Sequence, residues 1–213
     1  MSVVPRRPAR PLRTVAACLC AGSLVLTLPG PALSQPAIAK TYSYFTIAGR
    51  TAEDLDSELS RRGPLTRGNG FRHPGATEIK FGGEVTYKDS GSTCAIGDVK
   101  ITLKTKIILP RWKNRRQATG SLALIWDTLS ADIKRHEERH AEIARSYARR
   151  LEQSLRALPT ASTCSAMEES VGKITHKIID EHDRDQLRFD LVEAKNFDAR
   201  MMRLLKYRSS ASD

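Results

Sequence analysis

The sequence predicts an α+β fold in which a small antiparallel sheet is followed by two long packed helices. In the first half of the chain, short segments alternate apolar and polar residues, which is typical of half-buried strands. In the second half, apolar residues recur every three or four positions, which is typical of amphipathic helices. We expect a single domain at residues 41–208, with a β-rich half at 41–112 and a helical half at 121–206.

Residues 1–34 are predicted to be a signal peptide. Four arginines precede an apolar stretch from Val15 to Leu28, and small residues follow it. Cleavage is expected after Ser34, or as late as Ala39. A transmembrane anchor is the alternative, which is disfavoured because the apolar stretch is short and Gly22 interrupts it. We therefore expect an exported protein, periplasmic or secreted, with no transmembrane helix after cleavage.

The charge of the chain is strongly basic. Its formal net charge is +11, and loss of residues 1–34, with four arginines and no acidic residue, leaves +7. Such a charge favours contact with an anionic envelope surface. Nucleic-acid binding is not expected, because the basic residues are interspersed with acidic ones and the sequence contains no nucleic-acid recognition motif.

The β-rich half is predicted to contain three strands and one short helix. The first strand, 41–47, is aromatic and β-branched, and Thr51 then begins a helix with Asp54 in the capping-box position. Two strands follow near 77–87 and 95–109. The last strand alternates clearly, and one of its faces carries Val99, Ile101, Leu103 and Thr105.

The helical half is predicted to contain two long helices. The first runs from Ser121 to Leu158, where Pro159 ends the apolar pattern, and the second begins near Ser165. Once the signal peptide is removed, Cys94 and Cys164 are the cysteines that remain. Because an even pair in an exported chain favours a disulfide, we expect a bond between the β-rich half and the C-terminal helices.

One turn of the first long helix carries a metal-binding pattern. Residues 136–140 read His-Glu-Glu-Arg-His, which matches the zinc motif H-E-x-x-H. Residues four apart share a helix face, so His136 and His140 can both reach one zinc ion. Glu137 is expected to be the catalytic base that takes a proton from water as the water attacks a carbonyl.

Both histidines continue the apolar stripe of the first long helix and are expected to face the sheet. The alternative is that His136 and His140 are core histidines, held by hydrogen bonds on a purely structural helix. The second helix offers further donors at His182 and Asp185, for which the alternative is a solvated acidic patch.

The mature chain resembles the bacterial DUF922 family, described as predicted secreted zinc-dependent proteases. The resemblance runs from Tyr44 to about Asp190. It rests on the following positions: Tyr44-x-x-Ile47-x-Gly49-x-Thr51, Gly63-Pro64, Thr77, Cys94, Leu109-Pro110-x-Trp112, Trp126, His136 to His140, Cys164 and Phe189-Asp190. It implies an exported domain with a zincin-like active helix and a bridge between Cys94 and Cys164.

The sequence departs from this family at one position. Similar proteins carry Tyr-Asp-x-x-Thr-x-His-Gly after the second cysteine, and that histidine is a natural third zinc ligand. Here residues 189–196 read Phe-Asp-Leu-Val-Glu-Ala-Lys-Asn, so Lys195 stands at the position of the histidine. A protonated lysine cannot bind zinc. The candidates for the third ligand are therefore His182, Asp185, Asp190 and Glu193.

Two functions are compatible with these patterns. The first is an exported zinc metallopeptidase that hydrolyses peptide or protein substrates in the envelope. The second is a non-catalytic envelope protein, a degenerate peptidase that binds a partner or a cell-wall polymer. Lys195 is the main support for the second.

Overall fold

A computed structural model describes residues 35–65 and 72–211 of the chain. The predicted signal peptide at residues 1–34 lies outside the described residues. The elements follow in the order β1 (Ala37–Ile47), α1 (Ala52–Arg62), β2 (Ala76–Asp89), β3 (Cys94–Trp112), a 3₁₀ turn (Arg115–Gln117), α2 (Gly120–Arg156) and α3 (Cys164–Ser210). A three-stranded sheet followed by two long helices is an α+β fold, as predicted.

The sheet is mixed, with β3 between β1 and β2. β2 and β3 form the predicted antiparallel hairpin, whereas β1 pairs with β3 in parallel, from Ala37 opposite Thr102 to Ile47 opposite Trp112. The expectation of a wholly antiparallel sheet was therefore wrong for β1. The chain reverses once after β1, through α1, and again in the hairpin, so β3 runs in the direction of β1.

The core lies between β3 and the two long helices. The inward face of β3 is buried as the alternation predicted, with Val99 and Leu103 fully buried, and Thr105 lies on the same face. Small residues of α2, Ala144 and Ala148, pack against this face and let the helix approach the sheet closely. Burying each large apolar side chain of this core contributes about 1.5–3 kcal/mol.

α1 packs at the end of the sheet where β1 and β3 finish, at Ile47 and Trp112. Its predicted capping box is present, because Thr51 accepts from the backbone N–H of Asp54 and Asp54 accepts from that of Thr51. Leu55 and Leu59 then pack in a cluster with Ile47, Trp112 and Trp126. This cluster joins β1 to the first turns of α2.

A disulfide joins Cys94 at the start of β3 to Cys164 at the start of α3, as predicted. Beside it, the backbone N–H and carbonyl groups of Cys94 exchange two hydrogen bonds of 2.8 Å with Ala161. These links hold the α2–α3 connection against the sheet. A disulfide is typical of an exported protein. Within the described parts of the chain, 35–65 and 72–211, no helix has the length and apolar character needed to cross a membrane.

Replacing Cys94 and Cys164 together by serine should lower the free energy of unfolding by about 2–5 kcal/mol, because the bond closes a loop of 70 residues in the unfolded chain. Urea denaturation followed by circular dichroism measures the loss. Addition of a reductant should destabilise the wild type and leave the double-serine variant unchanged. Equal stability of the two proteins would contradict the role given to the bond.

Candidate metal centre

Helix α2 lies between two partners and presents a different face to each. Its sheet face carries Ile133, Glu137 and Ala141, which are buried. His136 and His140 point instead towards α3, where their partners lie. The expectation that both histidines face the sheet was therefore wrong. Successive helical residues are rotated by about 100°, and Glu137 occupies the sheet-facing position.

Three donor atoms from the two long helices converge on one point. Nε2 of His136 and Nε2 of His140 lie 3.0 Å apart. Oδ1 of Asp190, from α3, lies 2.9 Å from Nε2 of His140 and 3.3 Å from Nε2 of His136. Among the residues that the structure describes, these three side chains are the group of His, Cys, Asp or Glu donors close enough to share a metal ion.

The arrangement fits a zinc ion. Zinc binds nitrogen and carboxylate oxygen at about 2.0–2.1 Å in tetrahedral geometry, which places neighbouring ligand atoms about 3.3 Å apart. The observed separations, 2.9 to 3.3 Å, lie close to this value. Two imidazoles and one carboxylate are also a donor set that zinc accepts in catalytic sites, where a fourth position stays open.

The electrostatics of the site favour a cation. Although burial opposes it, hydrogen bonds from His136 and His140 hold the pKa of the Asp190 carboxyl well below its usual range. Burial alone would lower the pKa of His140, but its hydrogen bonds with Asp190 and Gln186 outweigh burial and raise that pKa. Both directions have a common cause, which is the attraction between the Asp190 carboxylate and a protonated imidazole.

Access to the donors is uneven. The side chains of His136 and His140 are 26% and 13% exposed, whereas that of Asp190 is 49% exposed. The ring of Phe189 packs on both histidines, stacked on His136 at 4.9 Å and edge-on to His140 at 5.1 Å. An aromatic ring therefore packs on both histidines, while the Asp190 side chain is about half exposed to solvent.

Glu137 lies beside this cluster and is 6% exposed. The hydroxyl of Thr77, at the start of β2, lies 2.9 Å from Oε2 of Glu137 and 2.9 Å from its backbone carbonyl oxygen. Burial raises the pKa of the Glu137 carboxyl, although the nearby His140 and His136 act in the opposite direction. Glu137 is thus a carboxyl group in a low-polarity environment, close enough to the two imidazoles to be affected by their charge.

Of the four candidates for a third ligand, the structure brings Asp190 to the histidines. His182 is buried and its Nε2 contacts Gln186, while Asp185 accepts a hydrogen bond of 2.6 Å from the hydroxyl of Tyr147. Glu193 lies behind His136, with Oε2 3.7 Å from Nδ1, the ring nitrogen opposite the cluster. Lys195 is exposed on α3.

Gln186 and Phe189 are parts of the site that the H-E-x-x-H motif does not predict. Gln186, Phe189, Asp190 and Glu193 follow the spacing i, i+3, i+4 and i+7, which places them on one helix face. Phe189 and Asp190 contact both histidines of α2, whereas Gln186 contacts His140 and Glu193 contacts His136. This spacing, read together with the motif on α2, is the signal that could have identified them.

An ion network centred on the buried Asp132 holds α3 against α2 one turn from His136. Asp132 of α2 accepts hydrogen bonds from Arg200 of α3 and from Arg135, and both arginines also pair with Glu193. Burial would raise the pKa of Asp132, but the hydrogen bonds from Arg200 and Arg135 outweigh burial and lower that pKa. The network sets the position of α3, and therefore of Asp190, relative to the two histidines.

Gly75 packs closely against Glu137 and Ile133. A Cβ at position 75 would lie 2.8 Å from Cγ2 of Ile133 and 2.9 Å from Oε1 of Glu137. Gly75→Ala should therefore displace Glu137 and lower the free energy of unfolding by about 1–3 kcal/mol. Gly172→Ala is the control, because no described heavy atom beyond its chain neighbours and the local helix backbone lies within 4 Å of the added carbon. It should stabilise α3 by up to about 1 kcal/mol. Urea unfolding measures the stability of both variants. If Gly75→Ala is as stable as the wild type, Glu137 is not confined by the packing against Gly75.

Comparison with known proteins places the chain in a family. The family model of DUF922, a bacterial protein of unknown function, matches residues 42–196. No curated protein and no solved structure matches the chain. The matched segment contains α1, β2, β3, α2 and the part of α3 that carries Asp190, so the donor cluster lies within it. The chain belongs to the DUF922 family.

Proposed function

We propose that this protein is an exported, zinc-dependent hydrolase of the metallopeptidase type, which cleaves peptide bonds in peptides or proteins of the cell envelope. The observation that carries the proposal is the convergence of Nε2 of His136, Nε2 of His140 and Oδ1 of Asp190, beside the buried carboxyl of Glu137. The disulfide supports export, because such bonds persist in oxidising compartments.

His136, His140 and Asp190 would hold the metal. When bound by three protein ligands, zinc lowers the pKa of a water molecule and polarises a carbonyl oxygen. Structural zinc sites usually have four protein ligands, whereas three ligands and an open side are typical of catalytic ones. The exposure of Asp190 therefore favours a catalytic site over a structural one.

Glu137 would act as the general base. It follows His136 directly, and burial raises the pKa of its carboxyl, so it holds a proton more readily than an exposed glutamate does. The Thr77 hydroxyl restrains Oε2 of Glu137 and so limits the orientation of the carboxyl. In this role Glu137 takes a proton from the attacking water and later delivers it to the leaving amine.

The outer edge of β2 is the surface that would align a peptide substrate. β2 lies at an edge of the sheet, and among the described residues no strand pairs with its outer side. The start of β2 lies beside Glu137, because the Thr77 hydroxyl contacts the Glu137 carboxyl and Gly75, the residue before β2, packs against it. An extended peptide added to this edge would gain backbone hydrogen bonds that position it near the donor cluster.

The outer face of the sheet supports attraction to an anionic envelope surface. Lys80 of β2 and Lys104 of β3 are directly opposite each other, and both are exposed. Like charges at cross-strand positions disfavour each other, so a nearby anionic surface would relieve their repulsion. This contact would concentrate the protein where its substrates lie.

Zinc binding should depend on Asp190 and be independent of Asp185. The protein without residues 1–34 should contain about one zinc ion per chain. Asp190→Asn should weaken zinc binding at least tenfold, because the carboxylate charge is lost, whereas Asp185→Asn should bind like the wild type. Chelator competition measures the affinities. Zinc-free wild-type protein, or equal losses in both variants, would refute this metal site.

Catalysis should depend on Glu137 separately from metal binding. Glu137→Gln should keep its zinc, but its rate of cleavage of a fluorescent casein substrate should fall about 10²–10⁴-fold, since the amide cannot accept the proton. If the zinc-loaded wild type cleaves casein and Glu137→Gln does so equally fast, Glu137 is not the base. A wild type that binds zinc and does not cleave casein or a mixed peptide library would instead support the non-catalytic envelope protein.

A further inference from the structure

The ring nitrogen of His140 that points away from the donor cluster has a defined partner. Nδ1 of His140 lies 2.5 Å from Oε1 of Gln186. An amide oxygen can only accept a hydrogen bond, so Nδ1 must carry the proton in this contact. In neutral His140, Nε2 then keeps its lone pair, which points towards His136 and Asp190.

The orientation of the Gln186 amide is itself determined by its surroundings. Nε2 of Gln186 lies 3.1 Å from the backbone carbonyl oxygen of His140, a group that can only accept. The amide nitrogen must therefore face the backbone, which leaves Oε1 for the imidazole. Both contacts of Gln186 with residue 140 agree on one orientation of the side chain.

The chain of hydrogen bonds continues beyond Gln186. Nε2 of Gln186 also donates to Nε2 of His182 at 2.8 Å, and Nδ1 of His182 donates to Oδ1 of Asp183 at 2.8 Å. From His140 to Asp183 each donor meets an acceptor, and the series ends on a carboxylate. Hydrogen bonds aligned in one direction polarise one another and strengthen.

His182 is confined between the sheet and both helices. Its side chain is 5% exposed, and its ring meets Phe81 of β2 edge-on at 5.0 Å and Tyr147 of α2 edge-on at 5.6 Å. A buried imidazole loses its hydration and needs hydrogen-bond partners for both ring nitrogens. An apolar side chain at this position would need none. Its burial is accounted for if the ring holds Gln186 in place.

We propose that Gln186 and His182 are positioning residues of the metal centre, which hold His140 with its proton on Nδ1 and aim Nε2 at the shared cation. This inference rests on the proposed zinc site and deepens it. His182, a candidate ligand from the sequence, acts in this account through Gln186 and not on the metal. Outer hydrogen bonds of this kind orient a histidine ligand and increase its basicity.

The test compares zinc affinities of variants of the protein without residues 1–34, by chelator competition. Gln186→Met, which keeps the length of the side chain and removes its hydrogen bonds, should weaken zinc binding about 10–100-fold. His182→Leu should also weaken zinc binding. Gln186→Glu, which keeps an acceptor for Nδ1, should restore most of the affinity.

Tyr147→Phe is the matched control. It removes the hydrogen bond of 2.6 Å to Asp185 from the same helix pair but keeps the ring that packs on His182. Its zinc affinity should equal that of the wild type. Proton NMR of zinc-loaded protein labelled with ¹⁵N provides a second readout: the Nδ1 proton of His140 should exchange slowly with water in the wild type and rapidly in Gln186→Met.

The outcomes separate this inference from the function on which it rests. If the wild type binds zinc and both Gln186→Met and His182→Leu bind it within about twofold of the wild type, the positioning role is wrong although the metal site stands. An equal loss in Tyr147→Phe would overturn it as well, because the effect would then be general destabilisation. A wild type that binds no zinc refutes the metal site, and the positioning role with it.

Discussion

The site depends on the placement of α2 in the angle between the sheet and α3. Neighbouring residues of a helix point about 100° apart, so a base and a ligand that are adjacent in sequence need two different surroundings. Here Glu137 meets Thr77 of the sheet, while His136 and His140 meet α3. A single turn of α2 therefore supplies a buried carboxyl on one side and two imidazoles on the other, and neither partner of α2 could be removed without losing half of the site.

The position of α3 is the second part of this constraint, because Asp190 must lie opposite the histidines. The disulfide attaches the start of α3 to β3, and the pairing of Arg200 with Asp132 holds α3 on the far side of the donor cluster. Asp190 lies between these two attachments. Removing Asp132 or Arg200 would weaken this attachment, because each would take one partner from the remaining charged groups of the network. The structural elements thus hold the ligands at short distances without help from a flexible loop.

Local signals in the sequence were sufficient for much of the fold. The alternation along 99–105, the capping box at Thr51 and the even pair of cysteines each depend on neighbours in the chain or on simple pairing, and each is confirmed. The direction of β1 was not predictable, because alternation of apolar residues has the same period in parallel and antiparallel strands. The predicted orientation of His136 and His140 was wrong for a related reason. A helix that packs on two partners has a wide apolar stripe, and the stripe alone does not show which of its edges contacts which partner.

The donor cluster was predictable only in part. The two histidines share a helix, so their spacing is enough to bring them together. Choosing Asp190 from four candidates required the register of α3 against α2, which depends on the connection near Ala161 and on the contact between Asp132 and Arg200. The most direct test is anomalous X-ray diffraction, at the zinc absorption edge, from crystals grown with zinc. The account predicts one strong peak about 2.0–2.1 Å from Nε2 of His136, Nε2 of His140 and Oδ1 of Asp190. Zinc ordered at other side chains, with these three atoms contacting only one another, would contradict it.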